Sequence, residues 1–512
     1  MTTLARERKT TYQPVPPIQG LWIILATAAG VLIAWQPMPT SAVIIGLTVF
    51  IISSLISPLA PIAAMMVIAP IRTLFATESG IALPLDFGQL LLASALMFWV
   101  IHRIVLRQQL PHIRWSPVLT ALTIFTTAAA LSAFSAVSFG AWLTEWLKWG
   151  QMIALVTLCL DLAARRQWEW LVFAAAAAGV TNAALGVYQF FGGSGALHLL
   201  ISTDSDNFRA FGTFGQPNPF GAFMGLLAPL MAAAALGYFL RVCNTWRASR
   251  LILTGHLVAS VFYAAAFALI SAALILSWSR GAWLGFGISI IVTLVALPRR
   301  ILHGLGILIL VTALGGIVWA SGRLPASITD RIASATQETF SFTDVRGVDV
   351  TPFNYALVER LAHWQAALNM AADRPFLGVG LGNYEVAYPA YRLMNWDLPL
   401  GHAHNFYLNV LGETGIIGLL SYGVFWCIVI SITWRITRKH PDTLARITAA
   451  GLLGTWVYVA LHSLTDNLYV NNLFLELGVL LGILAILHGH ISNQVQFMRI
   501  AWGSPTASSI SE

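Results

Sequence analysis

Apolar runs long enough to cross a bilayer recur from about residue 20 to about residue 488, with short polar breaks between them. Read at roughly 20 apolar residues per crossing, the pattern predicts helices over 20–36, 41–57, 60–76, 86–105, 116–135, 140–162, 168–191, 219–240, 251–277, 282–298, 302–320, 405–434, 446–464 and 470–488. With the N-terminus inside, alternate breaks carry the basic residues: Arg103, Arg107 and Arg114; Arg165 and Arg166; Arg241, Arg247 and Arg250; Arg299 and Arg300; Arg435, Arg438 and Lys439. The short breaks on the other side are nearly free of Lys and Arg, as the positive-inside tendency requires. The first run, Leu21 to Trp35, follows Arg6, Arg8 and Lys9 like a signal peptide. No small-residue cleavage site follows it, so an uncleaved first helix is expected.

Two breaks on the outer side are long, 192–218 and 321–403. In the second, Thr351-Pro352 has the chemistry of a helix start. The stretch from Tyr355 to Ala372 has helical apolar spacing and stops at Asp373-Arg374-Pro375. Gly378-Val379-Gly380-Leu381-Gly382 reads as a flexible turn. It looks like a dinucleotide-binding loop, but no strand precedes it and no βαβ unit surrounds it. The expected organisation is a cytoplasmic tail (1–19), membrane helices with an outer loop at 192–218 (20–320), a large extracytoplasmic loop (321–403), C-terminal membrane helices (404–490) and a cytoplasmic tail (491–512).

Composition sharpens the membrane reading. The chain is 57% hydrophobic and only 10% charged, against about 25% charged in soluble domains. The net charge of +7 lies at the ends of apolar runs and forms no basic stripe interleaved with aromatics. It orients the protein in the bilayer and does not point to nucleic acid. Cys159, Cys243 and Cys427 lie in or beside apolar runs near basic loops, which leaves a disulfide framework or thiolate metal site unsupported.

Charges at the outer side run against the positive-inside tendency and are candidates for function. Arg280 lies in Ser277-Trp278-Ser279-Arg280-Gly281, where small polar neighbours would let an anionic ligand reach the backbone; otherwise it snorkels. Arg209 precedes the turn-rich segment Gly212 to Pro219, and Arg360 lies on the loop helix, four residues before Trp364. A solvated position is the alternative for both. His404, in His402-Ala403-His404-Asn405, opens a predicted helix, whose N-terminal partial charge disfavours imidazolium and so favours a general base. Packing or capping is its plainer role. Glu145 and Lys148, three apart on one helix, are expected to pair with each other. Asp466, beside Asn467, either positions His404, binds sugar hydroxyls or ends its helix.

These residues resemble the O-antigen ligase and polymerase superfamily. Ser277-Trp278-Ser279-Arg280-Gly281 is similar to its SxSRG segment. Arg360, Trp364, Arg374-Pro375, Gly378-Val379-Gly380 and Asn383-Tyr384 resemble its outer loop. His404-Asn405, then nine residues, then Gly415-Ile416-Ile417-Gly418 resembles the ligase pattern, and Gly212 to Gly221 fits as well. The resemblance spans roughly 205–470. It implies an all-α, polytopic membrane glycosyltransferase of GT-C type with a helical extracytoplasmic loop; the apolar runs give about 12–14 transmembrane helices, about two more than typical ligases. It also implies an undecaprenyl-pyrophosphate-linked glycan as donor, with an acceptor that is a glycolipid, a glycan or a protein, and no requirement for a nucleotide sugar, metal or other cofactor. On this resemblance His404 is catalytic, and Arg280, Arg360 and Arg209 bind pyrophosphate; Asp466, Asn405 and His402 are expected to support them. The expected function is O-antigen ligase-like transfer on the outer face of the cytoplasmic membrane, with both termini cytoplasmic. A polymerase of the same superfamily is the alternative. A bicarbonate-type transporter fits less well, because the unusual charges gather at one surface and not at the midplane.

Overall fold

The computed structural model describes residues 38–71, 73, 86–106, 114–162, 167–193, 199–201, 207–249, 254–323, 329, 344–351 and 354–502, with side chains described between 40 and 490. The expected helix at 20–36, the basic residues Arg107, Arg165, Arg166 and Arg250, and Pro352 lie outside these residues. The helices are α1 (Met38–Ile56), α2 (Ala60–Ile68), α3 (Phe87–Val100), α4 (Pro117–Leu131), α5 (Phe139–Leu162), α6 (Trp168–Tyr188), α7 (Pro217–Ser249), α8 (Thr254–Leu276), α9 (Arg280–Ala296), α10 (Ile301–Ala320), α11 (Tyr355–Asp373), α12 (Tyr384–Tyr391), α13 (Phe406–Lys439), α14 (Thr443–His462) and α15 (Leu473–Trp502). No strand occurs among the described residues, and nine of these helices are long and apolar enough to cross a membrane. The chain is an all-α polytopic membrane protein.

The bundle packs around α7, α14 and α15, the most enclosed spans, whereas α10 lies at the periphery with almost no buried residue. Close approach without a hydrophobic driving force needs small residues at helix contacts. Gly225 of α7 faces the ring of Tyr458, Gly451 of α14 faces Pro229 and Ala233, and Gly454 faces Ser289 and Thr293 of α9. Any side chain at these glycines would collide with the opposite helix. Buried hydroxyls are satisfied across the same seam: Tyr458 Oη donates to Gly221 O at 2.9 Å, and Thr455 Oγ1 donates to Leu226 O at 2.9 Å.

Charge separates the two ends of the bundle. One end carries structural ion pairs: Arg103 with Asp161, and Arg241 with both Glu169 and Asp442. At the other end the chain gathers residues 207–217, 276–281, 354–384, 402–406 and 462–472. Glu145 and Lys148 pair at 2.6 Å, as their spacing predicts.

The glycine turn at 378–382, expected to be flexible, is packed between neighbouring segments. Gly378, Gly380 and Gly382 all have positive φ and are pressed against Glu413, Ala136 and α5 respectively. Val379 N donates to Gly412 O at 3.0 Å, Gly380 N to Glu413 O at 2.8 Å, and Ile416 N to Pro375 O at 2.8 Å. Arg374 donates to Ser135 O at 2.6 Å. Glycine here allows backbone to lie against backbone. Thr351 also departs from expectation. It forms a turn with Asn354, whose Oδ1 accepts from Thr351 N at 2.7 Å, and helix α11 begins three residues later than the Thr-Pro signal suggests.

Candidate functional site

A polar cavity of about 160 Å³ opens at the end of the bundle where these loops meet. Its lining includes Arg209, Arg280, Arg360 and Asp466, four residues singled out in the sequence, together with Asn218, Ser279, His462 and Thr465.

Each arginine comes from a different segment. Arg209 belongs to the loop before α7, and its guanidinium is held by Ser277 O at 3.1 Å and Asn218 Oδ1 at 3.3 Å. Arg280 is the first residue of α9, whose N-terminal backbone N–H groups carry partial positive charge. Arg360 lies in the second turn of α11, close enough that its charge lowers the pKa of His402. The small residues beside Arg280 also have a structural use, and Ser279 and Gly281 line the cavity. Ser277 Oγ donates to Leu274 O and accepts from Ser279 N. Gly281 lies against Thr465, so smallness here allows α9 to approach the loop after α14.

His404 precedes helix α13 and is not in its first turn. Asn405 is the N-cap, its side chain accepting from Tyr407 N and Leu408 N, which makes Asn405 a structural residue of this site. His404 adopts φ 52°, in the left-handed region. Two bonds hold that turn: His404 N donates to His402 Nδ1 at 3.0 Å, and Ala403 N donates to Asn409 Oδ1 at 3.1 Å. Phe406 N donates to Ser463 O at 2.8 Å, which joins this loop to the one carrying Asp466.

That joint brings Asp466 to both histidines. Asp466 Oδ1 is 3.4 Å from His402 Nε2 and 3.8 Å from His404 Nδ1. The second distance is ion-pair contact, longer than a hydrogen bond. Burial alone would raise the Asp466 carboxyl; the facing imidazoles of His404, His402 and His462 outweigh it and hold the group well below its usual range. Asp466 is therefore an anion at neutral pH. Burial pushes His402 down to about 4, with His404 and Arg360 adding to the shift against the pull of Asp466. His402 is thus neutral. Its Nδ1 accepts from a backbone N–H, so its proton is on Nε2, toward Asp466.

Two histidines were not legible as site residues in the sequence. His462, the last residue of α14, lines the cavity, and its Nδ1 is 3.0 Å from Tyr458 Oη. His363 lies one turn along the helix from Arg360, almost fully buried, stacked on Tyr388 with ring centroids 4.8 Å apart and edge-on to His404 at 6.0 Å. Its Nδ1 lies 2.8 Å from Tyr384 Oη. Burial, then the electrostatic influence of the facing His404 and His402 imidazoles, push His363 down to about 3, so it stays neutral. Only His363's spacing from Arg360 along α11, and the place of His462 four residues before Asp466, could have marked them. His402, His404 and Asp466 also present one ligand atom each within 4.8 Å of one another, a spacing that fits a metal ion.

Chemically, the arrangement can hold a multiply charged anion against three guanidiniums and a helix N-terminus. At its edge stands an imidazole backed by a carboxylate. Against known families, residues 265–423 match the model described as O-antigen ligase (Wzy_C). The matched stretch is less than a third of the chain. It contains Arg280, Arg360, His404 and Gly415, and leaves Arg209 and Asp466 outside. No curated protein matches the chain. The domain supports a membrane enzyme of the O-antigen ligase and polymerase superfamily.

Proposed function

We propose that the protein is an inverting, metal-independent glycosyltransferase that moves a glycan from undecaprenyl pyrophosphate to an acceptor hydroxyl on the outer face of the cytoplasmic membrane. The observation that carries this reading is the convergence of Arg209, Arg280 and Arg360, from three distant segments, on one cavity that also includes the carboxylate facing His404. Both termini are then cytoplasmic, the basic end of the bundle faces inward, and the polyprenyl tail stays in the bilayer.

In this mechanism the arginines bind the diphosphate oxygens. Their planar forks can do so bidentately and remain charged throughout. The acceptor oxygen attacks the anomeric carbon from the face opposite the diphosphate. The carbon–oxygen bond to the diphosphate breaks, and the leaving group departs with the electron pair. The acceptor proton passes to His404 Nε2. Asp466 keeps the other ring proton on Nδ1 and stabilises the imidazolium as it forms, the same division of labour as in other carboxylate–histidine pairs. His402 holds the turn that presents His404. General-base catalysis of this kind contributes about 10²–10⁴ in rate, and removing one preorganised charge contact at the leaving group costs about 10²–10³.

The test is reconstitution. Purified protein with a synthetic undecaprenyl-pyrophosphate glycan and candidate acceptors should yield the glycan on the acceptor with inverted anomeric configuration. A single product length identifies a ligase, and a ladder of lengths a polymerase. Absence of any transfer with all acceptors would contradict the reading.

A further inference from the structure

Three metal-ligating atoms meet at the edge of the site. His402 Nε2 lies 3.4 Å and His404 Nδ1 3.8 Å from Asp466 Oδ1, and all three lie within 4.8 Å of one another. Two ligand atoms bound tetrahedrally to zinc at about 2.0–2.1 Å stand about 3.4 Å apart. Asp466 and His402 already have that separation, and His404, 3.8 Å from the same oxygen with all three atoms within 4.8 Å of one another, closes the set by a side-chain movement toward the other two. His404 Nδ1 is buried and has no hydrogen-bond partner. Two imidazoles and a carboxylate form a borderline ligand set that suits Zn²⁺, with a fourth position left for water or a phosphate oxygen.

We propose that Zn²⁺ binds to His402, His404 and Asp466 and switches the base off. The inference rests on the reading of His404 as the base. Proton acceptance at Nε2 requires a lone pair there, with the ring proton on Nδ1 facing Asp466. Coordination uses the Nδ1 lone pair instead, so the single ring proton of neutral His404 moves to Nε2. Nε2 is then a donor and cannot accept the acceptor hydroxyl's proton. The ion also takes the Asp466 carboxylate that would stabilise imidazolium. His402 changes tautomer in the opposite sense, from Nε2–H to Nδ1–H, and gives up the bond from His404 N. No net proton is released. The facing charges are Asp466, which attracts the ion, and Arg360, which repels it and already lowers the His402 pKa. The site is therefore weaker than its ligands alone would make it, and neutralising Arg360 should strengthen it.

The experiment uses the full chain in lipid nanodiscs with Cys243 and Cys427 replaced by Ser, since free thiols also bind zinc. Zinc binding is measured by competition with a chromophoric chelator, and Co²⁺ absorption reports the geometry. Saturable binding at one zinc per chain is expected, with a tetrahedral Co²⁺ spectrum. H402A and the near-isosteric D466N, each removing a direct ligand, should weaken binding by at least the roughly 10- to 100-fold that loss of an outer-shell partner costs, while R360Q should tighten it. Transfer should fall as the site fills and return when EDTA removes the zinc. No saturable binding, or binding unchanged in both H402A and D466N, overturns the proposal. So does transfer that is unchanged or faster at zinc saturation. Normal zinc binding in a chain that never transfers a glycan would instead count against the enzymatic reading.

Discussion

At the scale of single residues, the proposed mechanism depends on the shape of the arginines as much as on their charge. A lysine at position 280 keeps the charge but loses the fork. R280K should therefore lower the transfer rate by at least about tenfold, because a bidentate phosphate contact becomes a point charge. Full activity in R280K would instead return Arg280 to a snorkelling role. The buried histidines predict a pH effect on stability. His363 falls from 6.5 to about 3 and His402 from 6.5 to about 4 on folding. The unfolded chain thus binds more protons than the folded one between pH 6.5 and about 4, and stability drops as pH falls through that window. The thermal midpoint should decline from pH 6.5 toward pH 4, and the decline should be shallower in H363Q, which cannot titrate. A midpoint independent of pH in the unsubstituted chain would contradict the burial of these rings.

Residue chemistry also sets what the sequence revealed. Arg209, Arg280, Arg360, His404 and Asp466 were legible because charged or titratable groups on the sparsely charged side of a membrane protein stand out against an apolar background. His363 and His462 were not, because each lies on a helix in an otherwise ordinary apolar pattern. Their meaning comes from contacts between segments far apart in the chain. Asn405 was legible only as part of a motif, and its side chain proves to be a helix cap.

Among the elements, hydropathy located the spans well; predicted ranges such as 168–191 and 302–320 correspond to α6 and α10. Glycine chemistry was harder to read. A run such as Gly378 to Gly382 has the same composition whether it swings free or is wedged between helices, and only the neighbouring backbones decide. The same holds for Gly415, which interrupts α13 with φ 64° and ψ −165° where the backbone of Phe376 and Leu377 crosses it. G415A requires a side chain in left-handed backbone and in space the loop already fills, so it should cost at least about 1 kcal/mol and loosen residues 374–384. Limited proteolysis of that loop should be faster in G415A and unchanged in G423A, where nothing lies within 4 Å. Equal protection in both variants would mean that the loop is not held at this point.

On the scale of the whole molecule, the fold separates two jobs. The α7, α9 and α14 seam, closed by small residues and buried hydroxyls, fixes the ends of those helices relative to one another. The loops then place arginines from three segments around a single cavity while the opposite end carries the structural ion pairs. The proposed transfer needs this polarity, since the lipid tail would stay in the bilayer while the reacting bond must reach the surface. The most direct measurement is the single-turnover rate of glycan transfer by H404A with the lipid-diphosphate donor already bound. The proposed arginine clamp predicts that H404A binds the donor about as tightly as the unsubstituted chain, yet transfers about 10²–10⁴-fold more slowly. Transfer at the unsubstituted rate would show that His404 is not the base.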